Sequence, residues 1–387
     1  MTRALRKLGT GFAALTAAGL ITAAPAQALT GGTPAADGSY AFTAQISGAR
    51  GCTGALVAPQ WVLTAAACFG AAPLSAGPPA TPYTATIGRA DLTGTAGHTV
   101  KITTLVPATD RDAVLAKLAL PIVDVDPVPL ATRAPAAGDV LRIGGYGRTA
   151  DRWVPDRLST ASFTVSGVDG TAVAVTAATG DATTCLGDAG GPALRETGTR
   201  VELAAINARS WQHGCYTSTE TRQGTVETRV DDLGTWVSQV TAPVAATITG
   251  KASGQCLDQD WANGQEHPDV GAWACWTPSQ TNQQWQLSWL SRDTVQVVNA
   301  RSAKCLDQDY TNGQPHPAVN AWQCWTPGQT NQQWTVQPHY EDGTVTLVNK
   351  ASGQCLDQDY TDGRPHSTVN AWQCWTTNQA NQRWLLG

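Results

Sequence analysis

At 387 residues and a formal net charge of −5, the chain is long enough for more than one hydrophobic core. It carries no basic cluster that could follow a phosphate backbone, so nucleic acid is excluded as an expected partner. Its 10 cysteines form no Cys-x-x-Cys pair and no matched His pair accompanies them, so neither a metal site nor a cofactor is expected.

The chain begins with Arg3, Arg6 and Lys7, continues through an apolar stretch from Leu8 to Ala23, and reaches Ala26-Gln27-Ala28. That order reads as a secretory signal over residues 1–28, with a small-residue cleavage site at its end. The apolar stretch is too short and alanine-rich to anchor in a bilayer, so no membrane partner is expected. Export to the extracellular space makes disulfides the natural state of an even number of cysteines.

Residues 29–240 are rich in Ala, Val, Thr and Gly. Short β-prone runs, among them Tyr83–Ile87, Thr99–Val106, Val140–Ile143, Ser162–Val165 and Val201–Ile206, are separated by Gly, Pro and Asp. Only Val230–Val240 has helical spacing, with Leu233, Trp236, Val237 and Val240 on one face. The expectation is an all-β domain closed by a helix, then a linker over 241–245.

Residues 246–387 repeat internally. Cys-Leu-Asp-Gln-Asp occurs at Cys256, Cys305 and Cys355, each followed at the same interval by a second cysteine, Cys275, Cys324 or Cys374. Each copy ends in Gln-x-Trp, at Gln283/Trp285, Gln332/Trp334 and Gln382/Trp384. Three such copies predict a pseudo-threefold β-structure around one core.

Several ordered motifs in 29–240 resemble those of chymotrypsin/trypsin-like serine peptidases. They are Leu29-Thr30-Gly31-Gly32, Cys52-Thr53-Gly54, Thr64-Ala65-Ala66-Ala67-Cys68, Asp112-Ala113-Val114-Leu115, Gly145-Tyr146-Gly147, Cys185-Leu186-Gly187-Asp188-Ala189-Gly190-Gly191-Pro192 and Ser210-Trp211-Gln212-His213-Gly214-Cys215. The resemblance implies a double β-barrel with Cys52–Cys68 and Cys185–Cys215 disulfides. It also implies a pair between the new ammonium of Leu29 and Asp188, and an oxyanion hole from the N–H groups of Gly187 and Ala189. Of the triad positions, Asp112 keeps its carboxylate, whereas Ala67 and Ala189 stand where the family has histidine and serine. A methyl group can neither take a proton nor attack a carbonyl. Thr183 stands where a trypsin-type enzyme has a pocket aspartate, and Gln212 replaces a glycine at the pocket entrance.

The repeats are similar to ricin B-type lectins, which are β-trefoils. Pyranose C–H faces stack on aromatic rings, and vicinal hydroxyls bond to carboxylates and carboxamides. Matching motif to motif, the resemblance implies carbohydrate sites at Asp258, Trp273, Asn282 and Gln283, at Asp307, Asn320, Trp322, Asn331 and Gln332, and at Asp357, Asn370, Trp372, Asn381 and Gln382. The first repeat has Gly271 where the others have Asn320 and Asn370. Trp276, Trp325 and Trp375 read equally as core residues or as a second subsite.

The functional expectation is a secreted, non-catalytic peptidase homologue joined to a lectin module. Its expected partners are galactose-type or xylan-type carbohydrate and a protein ligand in the peptidase-like cleft. The rival is a secreted endopeptidase targeted to carbohydrate-bearing substrates. In a third reading the first domain is only a spacer for the lectin.

Overall fold

The structure, a computed structural model, describes residues 29–325, 328–375 and 379–387. The expected signal segment, 1–28, lies outside the described residues. No helix among the described residues is long and apolar enough to cross a membrane.

Six antiparallel strands, Thr43–Ser47, Cys52–Ala58, Trp61–Thr64, Val114–Leu118, His98–Pro107 and Thr84–Ile87, close on one another in that order as a barrel. Period-two alternation turns Ile46, Leu56, Val62, Ile87, Ile102 and Leu118 into its interior. A second ring of six follows: Val140–Gly145, Ser159–Asp169, Ala172–Ala177, Thr225–Arg229, Arg200–Ser210 and Pro192–Thr197, which returns to the first. Its interior is filled by Leu141, Ile143, Phe163, Val165, Val173 and Val175. The short Thr33–Pro34 segment joins the outside of Ser159–Asp169.

A separate cluster, Ala55, Leu63, Leu115, Leu194, Leu203 and Ile206, lies where the barrels meet and receives Leu233 and Val237 of the closing segment. The helix occupies Gly234–Thr241 and so begins four residues later than its periodicity predicts. The first turn is displaced because Asp231 pairs with Arg229 and Asp232 with Arg111, while the Leu233 N–H donates to the Val230 carbonyl. The predicted apolar face survives: Leu233, Trp236, Val237 and Val240 all pack on the barrels.

The remaining 12 strands form one pseudo-threefold sheet from Ala246–Gly250 to Trp384–Leu386. Trp285, Trp334 and Trp384 are fully buried around the axis with Leu257, Leu306 and Leu356. Each indole N–H donates to the carbonyl of one of those leucines at 2.9–3.0 Å, so a large apolar ring is buried without an orphaned donor. The repeats also pair cyclically, Asp269 with Asn320, Ala318 with Asn370 and Thr368 with Gly271. Five disulfides are present: Cys52–Cys68, Cys185–Cys215, Cys256–Cys275, Cys305–Cys324 and Cys355–Cys374.

Candidate functional sites

The first candidate site lies between the barrels. Ala67 sits exposed in a short 3-10 turn, Ala66–Cys68, and its backbone N–H donates to Asp112 Oδ1 at 2.9 Å. Asp112 thus remains aimed at residue 67, where no imidazole is present to receive it. Ala189 belongs to a tight loop in which the Asp188 N–H donates to the Cys185 carbonyl and the Gly191 N–H to the Asp188 carbonyl. Thr53 fastens that loop to the first barrel, its N–H reaching the Ala189 carbonyl and its hydroxyl the Gly187 carbonyl, both at 2.9 Å. Gly187 adopts φ 105°, and among the described residues the N–H groups of Gly187 and Ala189 donate to no protein acceptor. The loop therefore presents two unengaged backbone donors close in sequence to Ala189, with Asp112 bonded to the backbone of residue 67.

Asp188 is wholly buried, accepting N–H bonds from Gly147 and Cys185 at 2.7 Å each. A Cβ at Gly147 would fall 2.4 Å from its carboxyl carbon, which explains the glycine there. Leu29 is also fully buried, and Thr30 bridges to Thr183 nearby. Among the described residues no ion pair reaches Asp188, and burial pushes its carboxyl up to about 7 against the pull of the two N–H bonds.

The pocket region beside this loop is packed with polar side chains. Asn207 Nδ2 lies within 3.1 Å of Thr184 Oγ1, Thr225 Oγ1 and Glu227 Oε1, and all four residues are buried. Glu227 Oε2 has no partner among the described residues. Burial drives the Glu227 carboxyl up to about 8; bonds from Asn207 and Thr225 oppose this, and the Asp188 charge adds to it. Sequence reasoning passed over Glu227. The available signal was a charged residue in the inward phase of a strand whose other inward position is Thr225.

At the entrance Gln212, at φ 65°, spans both walls. Its Oε1 accepts the Leu186 N–H at 2.8 Å, and its Nε2 donates to Ser210 Oγ at 2.8 Å. The two histidines of this half are engaged elsewhere. His98 contacts Asp124 at 2.8 Å, and His213 Nδ1 contacts the Glu220 carbonyl at 3.0 Å.

The second candidate site occurs three times on the trefoil. Asp258, Asp307 and Asp357 follow the first cysteine on a strand, and the amides come from the 3-10 turns Thr281–Gln283, Thr330–Gln332 and Ala380–Gln382. Gln283, Gln332 and Gln382 donate to these carboxylates at 2.7–2.8 Å, and Asn282, Asn331 and Asn381 at 3.1 Å. The three glutamines are buried beneath the carboxylates, and their carbonyls accept the N–H groups of Trp276, Trp325 and Trp375. They therefore position the site from below. Burial raises the carboxyls of all three aspartates, those of Asp307 and Asp357 to about 6.

In the second repeat the site is a cavity of about 450 Å³ lined by Asp307, Asp309, Tyr310, Asn320, Trp322, Trp325 and Asn331, among others. Trp273, Trp322 and Trp372 are about half exposed, as a stacking platform must be. In the first repeat a Cβ at position 271 would lie 2.6 Å from the Ser367 carbonyl oxygen, and Gly271 contributes no amide. Among the described residues no group of His, Cys, Asp and Glu could hold a metal ion.

A family model described as trypsin matches residues 29–237, and one described as a ricin-type β-trefoil lectin domain matches 244–384. A solved structure titled neuropsin, a serine protease expressed in the limbic system of mouse brain, is 21% identical; the match covers 54% of this chain and 98% of that one, with a TM-score of 0.45. A search of curated proteins finds no match. The chain belongs to the trypsin family, and its C-terminal part is a ricin-type β-trefoil lectin domain.

Proposed function

We propose that the protein is a secreted, non-catalytic trypsin homologue that carries a glycan-binding module. In this reading residues 1–28 direct export, 29–240 form the peptidase-like body, 241–245 link it onward, and 246–387 bind carbohydrate of galactose or xylan type. The observation that carries it is the pair of methyl groups at Ala67 and Ala189, in a two-barrel frame where Asp112 still bonds the backbone of residue 67. Removing triad members leaves only roughly 10³–10⁴-fold catalysis over water, from backbone donors and binding. Gln212 across the entrance and the packed Thr184–Asn207–Thr225–Glu227 network further oppose entry of a substrate side chain.

Cleavage before Leu29 would free an ammonium beside a buried carboxylate that now has only N–H partners, and we assign Asp188 as its partner. A protein ligand in the peptidase-like cleft belongs to the same proposal. The test is digestion of a diverse peptide library by the purified protein, read by mass spectrometry, with an Ala67→His/Ala189→Ser variant alongside. No cleavage by the native chain is expected. Reproducible cleavage that survives repurification would establish the rival reading, a lectin-targeted endopeptidase.

A further inference from the structure

Each trefoil repeat exposes not one tryptophan but two. Trp273 and Trp276, Trp322 and Trp325, and Trp372 and Trp375 are all 49–56% exposed, at the same sequence spacing from the aspartate of their repeat. Exposed large apolar side chains are the informative exceptions on a protein surface, and six at threefold-equivalent positions are not scattered ones. The trefoil core is already filled by Trp285, Trp334 and Trp384, so the second ring of each pair has no packing role there.

In the second repeat both rings line the same cavity, together with Asp309 and Tyr310 beyond the Asp307 end. Its volume of about 450 Å³ falls in the range of ~300–1,000 Å³ that encloses ligands larger than one small ring. The two halves of the cavity are also mechanically coupled. Gln332 donates through Nε2 to Asp307 at 2.8 Å and accepts the Trp325 backbone N–H on Oε1 at 2.9 Å, so one buried side chain fixes both the carboxylate and the backbone that carries the second ring. The same connection recurs through Gln283 and Gln382. A ring whose backbone is held by a buried amide, while the ring itself is half open to solvent, is an accessible stacking surface on a fixed stem.

We propose that Trp276, Trp325 and Trp375 form a second sugar subsite, so that each repeat takes two consecutive units of an oligosaccharide chain rather than one terminal sugar. This rests on the glycan-binding reading above and adds to it the ligand's length. One unit stacks on Trp322 with its hydroxyls on Asp307 and Asn331, and the next covers Trp325 with polar contacts to Asp309.

The experiment measures, by calorimetric titration of the full chain, affinities for xylose, xylobiose, galactose and β-1,4-galactobiose. In the series that binds, the disaccharide is expected to bind at least about tenfold more tightly than its monosaccharide. A disaccharide cannot bridge two repeats, so multivalency does not enter. Trp276→Ala/Trp325→Ala/Trp375→Ala should abolish that gain, bringing the disaccharide down to the affinity of its monosaccharide, because the backbone N–H bonded by each glutamine survives the substitution and Asp307 keeps its partner. Trp322→Ala/Trp372→Ala should weaken both ligands. Equal affinities for monosaccharide and disaccharide, or a disaccharide affinity untouched by the first triple variant, would overturn the second subsite and leave glycan binding standing. Absence of binding in both series would overturn the galactose- or xylan-type reading and the subsite with it.

Discussion

At Glu227 the strand Thr225–Arg229 turns a carboxyl group into the second barrel, where one oxygen is bonded by Asn207 and the other by nothing among the described residues. Such a group is tolerated by keeping its proton, which is why burial moves it up to about 8 from an ordinary value of 4.5. The sign follows directly. The folded state holds the proton more tightly than the unfolded chain, so stability is full below the unfolded pKa and is lost as pH rises through about 8. The melting temperature is therefore expected to fall by roughly 5–10 °C between pH 5 and pH 9, as a loss of a few kcal/mol implies. Glu227→Gln, which has no proton to lose, should flatten this profile. Thermal melts across that range would check it, and an unchanged slope in the variant would show that the carboxyl is not the source. Ala67 and Ala189 were legible in the sequence because their motifs are local and contiguous. Glu227 was not, because its partners Thr184 and Asn207 come from other segments of the chain.

Among the elements, the repeat hairpins show how the trefoil holds its sites. Gln308 lies in the Cys-Leu-Asp-Gln-Asp motif beside the proposed ligand Asp307, yet it is wholly buried and never meets the site. Its Nε2 donates to the His316 carbonyl at 2.9 Å and to Gln354 Oε1 at 2.6 Å, and its Oε1 accepts from Ser352 at 2.6 Å. Gln358 repeats this with His366, Gln255 and Ser253, and Gln259 with His267 and Ser302. Each motif glutamine therefore ties its own hairpin to the turn of another repeat. Gln308→Ala would strand a buried carbonyl and a hydroxyl, at about 1–3 kcal/mol each, and should lower the lectin domain's melting temperature by several degrees. Calorimetry would detect this, and an unaltered melt would show that the tie contributes nothing. The strands and the closing helix were legible from periodicity, because alternation and 3.6-residue spacing are local signals. The delayed helix start was not, since Arg111, which engages Asp232, lies on a distant loop.

Across the whole molecule, the two domains touch, and side chains of both line a common cavity, among them Trp61 and Lys117 from one and Trp285 and Trp289 from the other. The His98 ring, paired with Asp124, stacks on Tyr340 at 4.0 Å between centroids and an interplanar angle of 23°. The Tyr340 hydroxyl donates to the Pro121 carbonyl at 2.9 Å, and Arg292 pairs with Asp126 at 3.2 Å. Tyr340→Ala removes both the stack and the buried hydrogen bond. It should speed proteolytic cutting of the exposed connection at 242–244 by roughly fivefold, the population change that about 1 kcal/mol produces. An unchanged cutting rate would mean that the contact does not restrain the domains.

The sequence by itself determined the two-part organisation, the all-β class and the alanines at positions 67 and 189, where the family resemblance leads one to expect histidine and serine, because each is written in contiguous motifs or in a repeat of fixed period. Two of the disulfide pairs, Cys52–Cys68 and Cys185–Cys215, were implied by family resemblance and are present. Only the tertiary structure decided which half of each carboxamide pair sits beneath its aspartate, whether Trp325 belongs to the core or the surface, and which polar groups gather around Glu227. Those outcomes depend on burial and on partners brought together from segments far apart in the chain, as with Asn207 and Glu227 or Gln308 and Ser352. A linear pattern records which groups are available; closing the barrels and the trefoil ring decides which of them lose water and find each other.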